Sequence, residues 1–274
     1  MIRSAVTISL VPEMRGGPFI FWDDLPASCA RAAALGFDAV ELFFHEARSV
    51  NVAEVQAALT AHNLTVAALG SGAGWVKHKL RLTDPDARVR RRAIEYIARF
   101  IELAAQFHAP VIVGTMQGRW GEGNSRQQVL SWLADALNEL GDTAAKHGFP
   151  LLYEFLNRYE TNLFNTAEDA LAFLRMFHTQ NVKLLCDLFH MNIEERDIPG
   201  ALRIVGPKLG HVHFVDSNRR AVGWGHLDMT PIAQALRDVN FDGYLSAEAF
   251  PVPDGEAAAR QTIESFRKWF PRAA

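Results

Sequence analysis

Short apolar runs recur along this chain, each followed by a stretch whose apolar positions fall at the three-to-four-residue spacing of a helix face. The runs are SAVTISL (4–10), AVELFF (39–44), TVAALGS (65–71), PVIVGTM (110–116), PLLYEFL (150–156), VKLLCDLFH (182–190), HVHFVD (211–216) and YLSAEAF (244–250). Helical periodicity fills the intervals near 24–35, 51–61, 86–107, 125–147, 167–178, 197–205, 231–239 and 255–269. The strands are apolar almost throughout, which predicts parallel strands covered by helices. Local residues mark boundaries: Thr230 before Pro231, and Asn165-Thr166 before an Ala- and Leu-rich stretch, read as helix starts. Gly36, Gly148 and Gly243 stand between a helix end and the next strand, where a left-handed residue is useful.

Eight strand–helix units favour closure into a single (β/α)8 TIM barrel, an α/β fold, over an open doubly wound sheet. No Gly-x-Gly-x-x-Gly follows the first strand, so a dinucleotide-binding sheet loses its main fingerprint. The 274 residues match the roughly 250 typical of such a barrel, and no linker or low-complexity stretch divides them. One catalytic domain over 1–274 is expected.

Composition narrows the partners. A net charge of −3 gives no general attraction to polyanions, so nucleic acid is not an expected partner. Lys77, Lys79, Arg81, Arg88, Arg90, Arg91 and Arg92 do cluster, but Asp84 and Asp86 interrupt them, and a solvated or subunit-facing surface is the simpler reading. Cys29 and Cys186 read as buried thiols of a reducing compartment. The N-terminal apolar stretch before Pro12 is at the short limit for a signal peptide and is followed by no small-residue cleavage site. With no run approaching the ~20 apolar residues of a membrane span, a cytoplasmic protein is expected.

The chemistry concentrates in the C-terminal half. Glu154, Asp187, His213 and Glu248 each lie toward the end of a strand-like run, 33, 26 and 35 residues apart, one strand–helix unit each time. Singly, a strand-end carboxylate is usually a helix cap or ion-pair partner, and a lone histidine on an apolar strand a core residue. Four at equivalent positions in successive units would converge on one rim of a closed barrel, where such folds build active sites. Three carboxylates and an imidazole suit one divalent metal ion, Mn²⁺ foremost, with Mg²⁺, Co²⁺ or Zn²⁺ as alternatives. Without a cation, three carboxylates held together would repel until one protonated. Weaker features are GSGAG (70–74), a rim loop or a phosphate cradle; Trp75 and Trp120, an apolar wall or packing residues; and His226 with Asp228, the latter read as a helix start.

YEFLNRYETN (153–162), CDLFHMNIEE (186–195), HVHFVDSNR (211–219) and SAEAF (246–250) closely resemble the sugar isomerase/epimerase family with the xylose-isomerase-like barrel, nearest to its ketose 3-epimerases of the tagatose/psicose and keto-sugar-acid kind. The resemblance is specific over 150–250 and generic before that. It implies that the metal ligands are Glu154, Asp187, His213 and Glu248. It also implies that His190, Arg219 and Glu160 contact substrate, with Phe250 as the aromatic pocket residue. The implied reaction is epimerisation at C3 of a ketose or keto-sugar acid. The sugar would chelate the ion through its C2 carbonyl and C3 hydroxyl oxygens, lose the C3 proton to form a cis-enediolate, and regain it on the opposite face, with Glu154 and Glu248 as acid/base pair. His190 and Glu160 would form a polar pair; Arg219 would hold a hydroxyl or carboxylate, or else ion-pair with Asp216 or Glu160. Val222-Gly223 and Ala249 depart from the family's Pro-Gly turn and its proline after the last ligand, which leaves substrate identity open. An aldose–ketose or hydroxypyruvate isomerase would use the same chemistry. A metal-dependent abasic-site endonuclease would need further early-strand ligands, for which Glu41 and His45 are the obvious offerings; a barrel that binds a sugar without turning it over is a third reading. A homo-oligomer, dimer or tetramer, acting on a small-molecule sugar is expected.

Overall fold

The computed structural model describes residues 1–22, 24–121 and 123–271, so Asp23, Glu122 and residues 272–274 of the expected 1–274 domain lie outside the described residues. The first half runs β1 (Arg3–Ser9), β2 (Phe21–Trp22), α1 (Leu25–Leu35), β3 (Ala39–Phe43), α2 (Val52–Ala61), β4 (Thr65–Gly70), α3 (Ala73–His78), α4 (Ala87–Ala105), β5 (Val111–Val113) and α5 (Arg126–Ala145). The second continues with β6 (Leu151–Glu154), α6 (Ala167–Leu174), β7 (Val182–Asp187), α7 (Leu188–Glu194), α8 (Ile198–Val205), β8 (Leu209–His213), α9 (Met229–Asp238), β9 (Tyr244–Ala247) and α10 (Gly255–Trp269).

Every strand pairing is parallel, in the order β2-β1-β3-β4-β5-β6-β7-β8-β9, and a further β1–β9 pairing joins the ends. Eight strands thus close the expected (β/α)8 barrel; β2 is a two-residue strand set against the end of β1. Apolar side chains of the strands and helices fill the layer between them in one large core. Ala68, Ile112, Leu152 and Leu185 form a separate cluster. Because strand side chains alternate with period two, Leu152, Leu185 and His211 share a face with Glu154, Asp187 and His213, and that face is the barrel interior. Among the described residues no helix is long and apolar enough to cross a membrane.

Several boundaries differ from the sequence reading. The run 182–190 is a strand only to Asp187, whose side chain accepts from the Phe189 and His190 backbone N–H groups and starts α7. Helix α6 ends at Leu174 rather than near 178. Asp228, not Thr230, caps α9, accepting from the Thr230 N–H at 2.9 Å; Thr166 caps α6 as expected. Gly36 and Gly148 have positive φ, but after α9 that role falls to Asn240 rather than Gly243.

Candidate metal centre

The strand ends bring Glu154, Asp187, His213 and Glu248 together. Glu154, Asp187 and His213 are the last residues of β6, β7 and β8, and Glu248 follows β9 directly. In register, Asp187 pairs with His213 and Glu154 with Leu185. His213 Nδ1 lies 3.3 Å from Glu154 Oε1, 3.3 Å from Asp187 Oδ2 and 3.5 Å from Glu248 Oε2. One ligand atom from each of the four can be chosen so that all lie within 4.8 Å of one another. Around a small octahedral cation with ligands at about 2.1 Å, adjacent donors stand about 3 Å apart and opposite ones about 4.2 Å. The donor set fits a divalent ion in both chemistry and spacing, and Glu154 Oε1 is buried with no hydrogen-bonding partner.

Electrostatics point the same way. Burial, with repulsion from Glu154 and Asp187, outweighs His213 and Arg219 and drives the Glu248 carboxyl up to about 8. Burial would also raise Asp187, but the His190 charge, the hydrogen bond with His213 and the Arg219 charge hold it well below the carboxylate range. His213, despite burial, is held protonated well above its usual range by Glu248 and Glu41. The carboxylates crowded around this ring are therefore balanced by the His213 imidazolium and the Arg219 guanidinium, while burial opposes full ionisation of Glu248. A divalent cation would take over the balancing charge that the imidazolium supplies.

Beneath the four lies a layer that sequence reasoning missed. Glu41, on β3, is fully buried; its Oε2 stands 2.7 Å from His211 Nε2 and its Oε1 3.3 Å from His213 Nε2. The histidine charges and hydrogen bonds overcome burial to hold Glu41 down at about 2. The two ring nitrogens of His213 thus face opposite ways, Nδ1 to the three carboxylates and Nε2 to Glu41. The signal was present in HVH, whose period places His211 and His213 on one face. Its partner on β3 is one of the two early-strand residues an endonuclease reading would use, and the other, His45, lies outside the cluster, beside Lys77 at 3.2 Å.

The expected substrate-contacting residues line the same rim. Arg219 Nη2 is 2.6 Å from Glu248 Oε2 and 3.9 Å from Asp187 Oδ2, and Nη1 is 3.3 Å from Glu160 Oε1. The ion pair with Glu160 is therefore formed, whereas Asp216 is occupied by the backbone N–H groups of Ser217, Gly223 and Leu227, which fold the loop that carries Arg219. His190 is buried on α7, its Nε2 3.8 Å from both Glu154 Oε1 and Asp187 Oδ2. The expected His190–Glu160 pair is long, 3.9 Å, and the close partner of His190 Nδ1 is Asn157 at 2.7 Å. Phe250 is half-buried and donates its N–H to the Arg219 carbonyl at 2.8 Å.

Other candidates resolve into structure. In GSGAG, Gly72 begins α3 and Gly74 lies inside it, where a Cβ would strike Met116 and Tyr96, so Gly74 serves close packing. Trp75 packs against the core, while Trp120 is 43% exposed. His226 Nδ1 meets the Ser217 hydroxyl at 2.9 Å. Within the basic cluster Arg81 pairs with Asp84, Arg88 with Asp86 and Arg91 with Glu139, which leaves no continuous anion-binding stripe through those arginines.

Comparison with known proteins is consistent over nearly the whole chain. The xylose isomerase-like TIM barrel family matches residues 29–269. A D-psicose 3-epimerase of Agrobacterium fabrum is 33% identical over 224 residues, covering 80% of this chain and 77% of its own. An L-ribulose 3-epimerase of Mesorhizobium japonicum is 31% identical, covering 83% and 76%. A solved L-ribulose 3-epimerase structure superimposes with a TM-score of 0.82 at 26% identity, covering 98% of this chain and 94% of that one.

Proposed function

This chain belongs to the xylose isomerase-like TIM barrel family and is an isomerase-class enzyme, and on that footing we propose that it is a divalent-metal-dependent epimerase acting at C3 of a ketose or keto-sugar acid. The observation that carries the proposal is the convergence of Glu154, Asp187, His213 and Glu248 on one buried point, in a chain whose matched relatives are named as ketose epimerases. Residues 1–274 act as one cytoplasmic catalytic domain, and Mn²⁺ is the proposed ion. Held by those four side chains, the ion supplies Lewis-acid polarisation of a carbonyl and the neighbouring hydroxyl.

The chain's own residues do the rest. Glu154 and Glu248 stand on strands separated by β7 and β8 and so reach a sugar from two sides. Each carboxylate has a second oxygen, and one takes the C3 proton while the other returns a proton to the opposite face of a cis-enediolate of the sugar. Arg219, tied to Glu160 and Glu248, orients a sugar hydroxyl or carboxylate; His190 donates to an oxygen at the C1–C2 end. The cluster of Val11, Phe19, Phe43 and Ala73, with Met14 and Trp22 packed on it, gathers at and beyond the C-terminal ends of β1, β3 and β4, and with Phe250 is the apolar surface proposed to face the sugar.

Incubation with Mn²⁺ and a panel of ketoses in deuterated water tests the reading by NMR. Deuterium at C3 accompanying the C3 epimer is expected; label confined to C1 or C2 identifies an aldose–ketose isomerase instead.

A further inference from the structure

His190 is 1% exposed, and its Nε2, aimed between Glu154 and Asp187, has no hydrogen-bonding partner among the described residues. The other ring nitrogen, Nδ1, lies 2.7 Å from Asn157 Nδ2. Which end of the Asn157 amide faces the ring is settled from its opposite side. Asn157 Oδ1 receives the backbone N–H of Tyr159 at 3.0 Å, and a backbone N–H can only donate, so the oxygen is committed there and the NH₂ group faces His190. An amide NH₂ also only donates, which requires His190 Nδ1 to be the accepting, unprotonated nitrogen. Glu160, the group that could draw a proton onto Nδ1, stands farther off at 3.9 Å and is engaged by Arg219.

We propose that Asn157 is a positioning residue that locks His190 as its Nε2–H tautomer, presenting one N–H donor to the site and no lone pair. Two consequences follow. A ring nitrogen that carries a proton cannot ligate a cation, so His190, although 3.8 Å from two ligand carboxylates, stays out of the metal shell and the centre is held to one imidazole. And a fixed donor selects an acceptor oxygen, a carbonyl or a hydroxyl lone pair, at that end of the ligand. The second consequence rests on the epimerase reading; the tautomer does not.

The test is the ¹⁵N chemical shift of the ring nitrogens in histidine-labelled protein saturated with Mg²⁺, which avoids paramagnetic broadening, with His190 assigned by its loss in His190→Gln. The wild type should show His190 Nδ1 in the unprotonated range and Nε2 in the protonated range. Asn157→Asp keeps the acceptor for Tyr159 N–H but offers His190 a carboxylate, so Nδ1 should gain a proton and Nε2 give up its own, and KM for the ketose should rise about tenfold as the donor is lost. A protonated Nδ1 in the wild type, or an Nδ1 still unprotonated in Asn157→Asp, overturns the inference. Neither shift requires turnover, so a protein that epimerises nothing yet shows the Nε2–H pattern refutes the functional reading and leaves the tautomer standing.

Discussion

Glu41 stands behind His213, its Oε1 3.3 Å from Nε2, so that Nδ1 is the ring nitrogen facing the three carboxylates. A carboxylate behind a ligating imidazole fixes its tautomer and raises its basicity. Glu41→Gln is therefore expected to weaken Mn²⁺ binding by about 10- to 100-fold, read by competition with a fluorescent chelator, with unchanged far-ultraviolet circular dichroism. An unchanged affinity would reduce Glu41 to a packing residue. The thiols are predicted to be inert: burial pushes Cys29 up to about 11 and Cys186 higher still, so both hold their protons at neutral pH. A raised thiol value means that the unfolded chain releases these protons first. Any contribution to stability is then complete below the ordinary thiol range and fades as pH climbs through the folded value. Iodoacetamide at pH 7.5 should leave both cysteines unmodified until urea unfolds the chain. At this scale the four strand-end residues were legible because each closes an apolar run. Glu41 and Asn157 were not, since their roles come from partners 170 and 33 positions away.

Elements position the site through how each strand hands over to the next segment. Asp187 is the sharpest case: Oδ1 starts α7 by accepting two backbone N–H groups while Oδ2 faces His213, so one carboxylate both caps a helix and offers a ligand oxygen. The apolar run continues through Leu188 and Phe189, which is why periodicity alone extended the strand to His190; only the polar residue inside the run marks the break. After β5 the chain turns at Gly114, where a Cβ would overlap the Glu154 carboxylate. Gln117 braces the same corner, donating to the Gly114 and Glu154 carbonyls at 3.0 and 2.9 Å and accepting from the Tyr153 hydroxyl at 2.8 Å. Gly114→Ala should cost about 100-fold in kcat/KM by displacing Glu154, while the melting temperature moves little, because the added methyl meets a side chain at the open end of the barrel. Steady-state kinetics beside a thermal melt separate the two effects; retained activity would mean that Glu154 has room to adjust.

Over the whole molecule the count of eight units was legible because each strand is buried on both faces, and closure followed from that count. The short β2, the early end of α6 and the inner Glu41–His211 layer were not, since they depend on contacts between distant segments. Closure is also what would make a metal stabilising: β6, β7, β8 and the end of β9 each bring one proposed ligand, so an ion bound only by the folded barrel would shift the unfolding equilibrium. At a hundred times its dissociation constant such an ion adds about 2.7 kcal/mol, and the metal-stripped protein should melt several degrees lower than the Mn²⁺-loaded one, a difference that calorimetry resolves. The most direct measurement follows C3–H exchange of a turned-over ketose in deuterated water as Mn²⁺ is returned stepwise to chelator-stripped protein. The account predicts no exchange without metal and a linear rise that breaks at one ion per chain. Exchange that persists without metal, or that begins only beyond one equivalent, would contradict it.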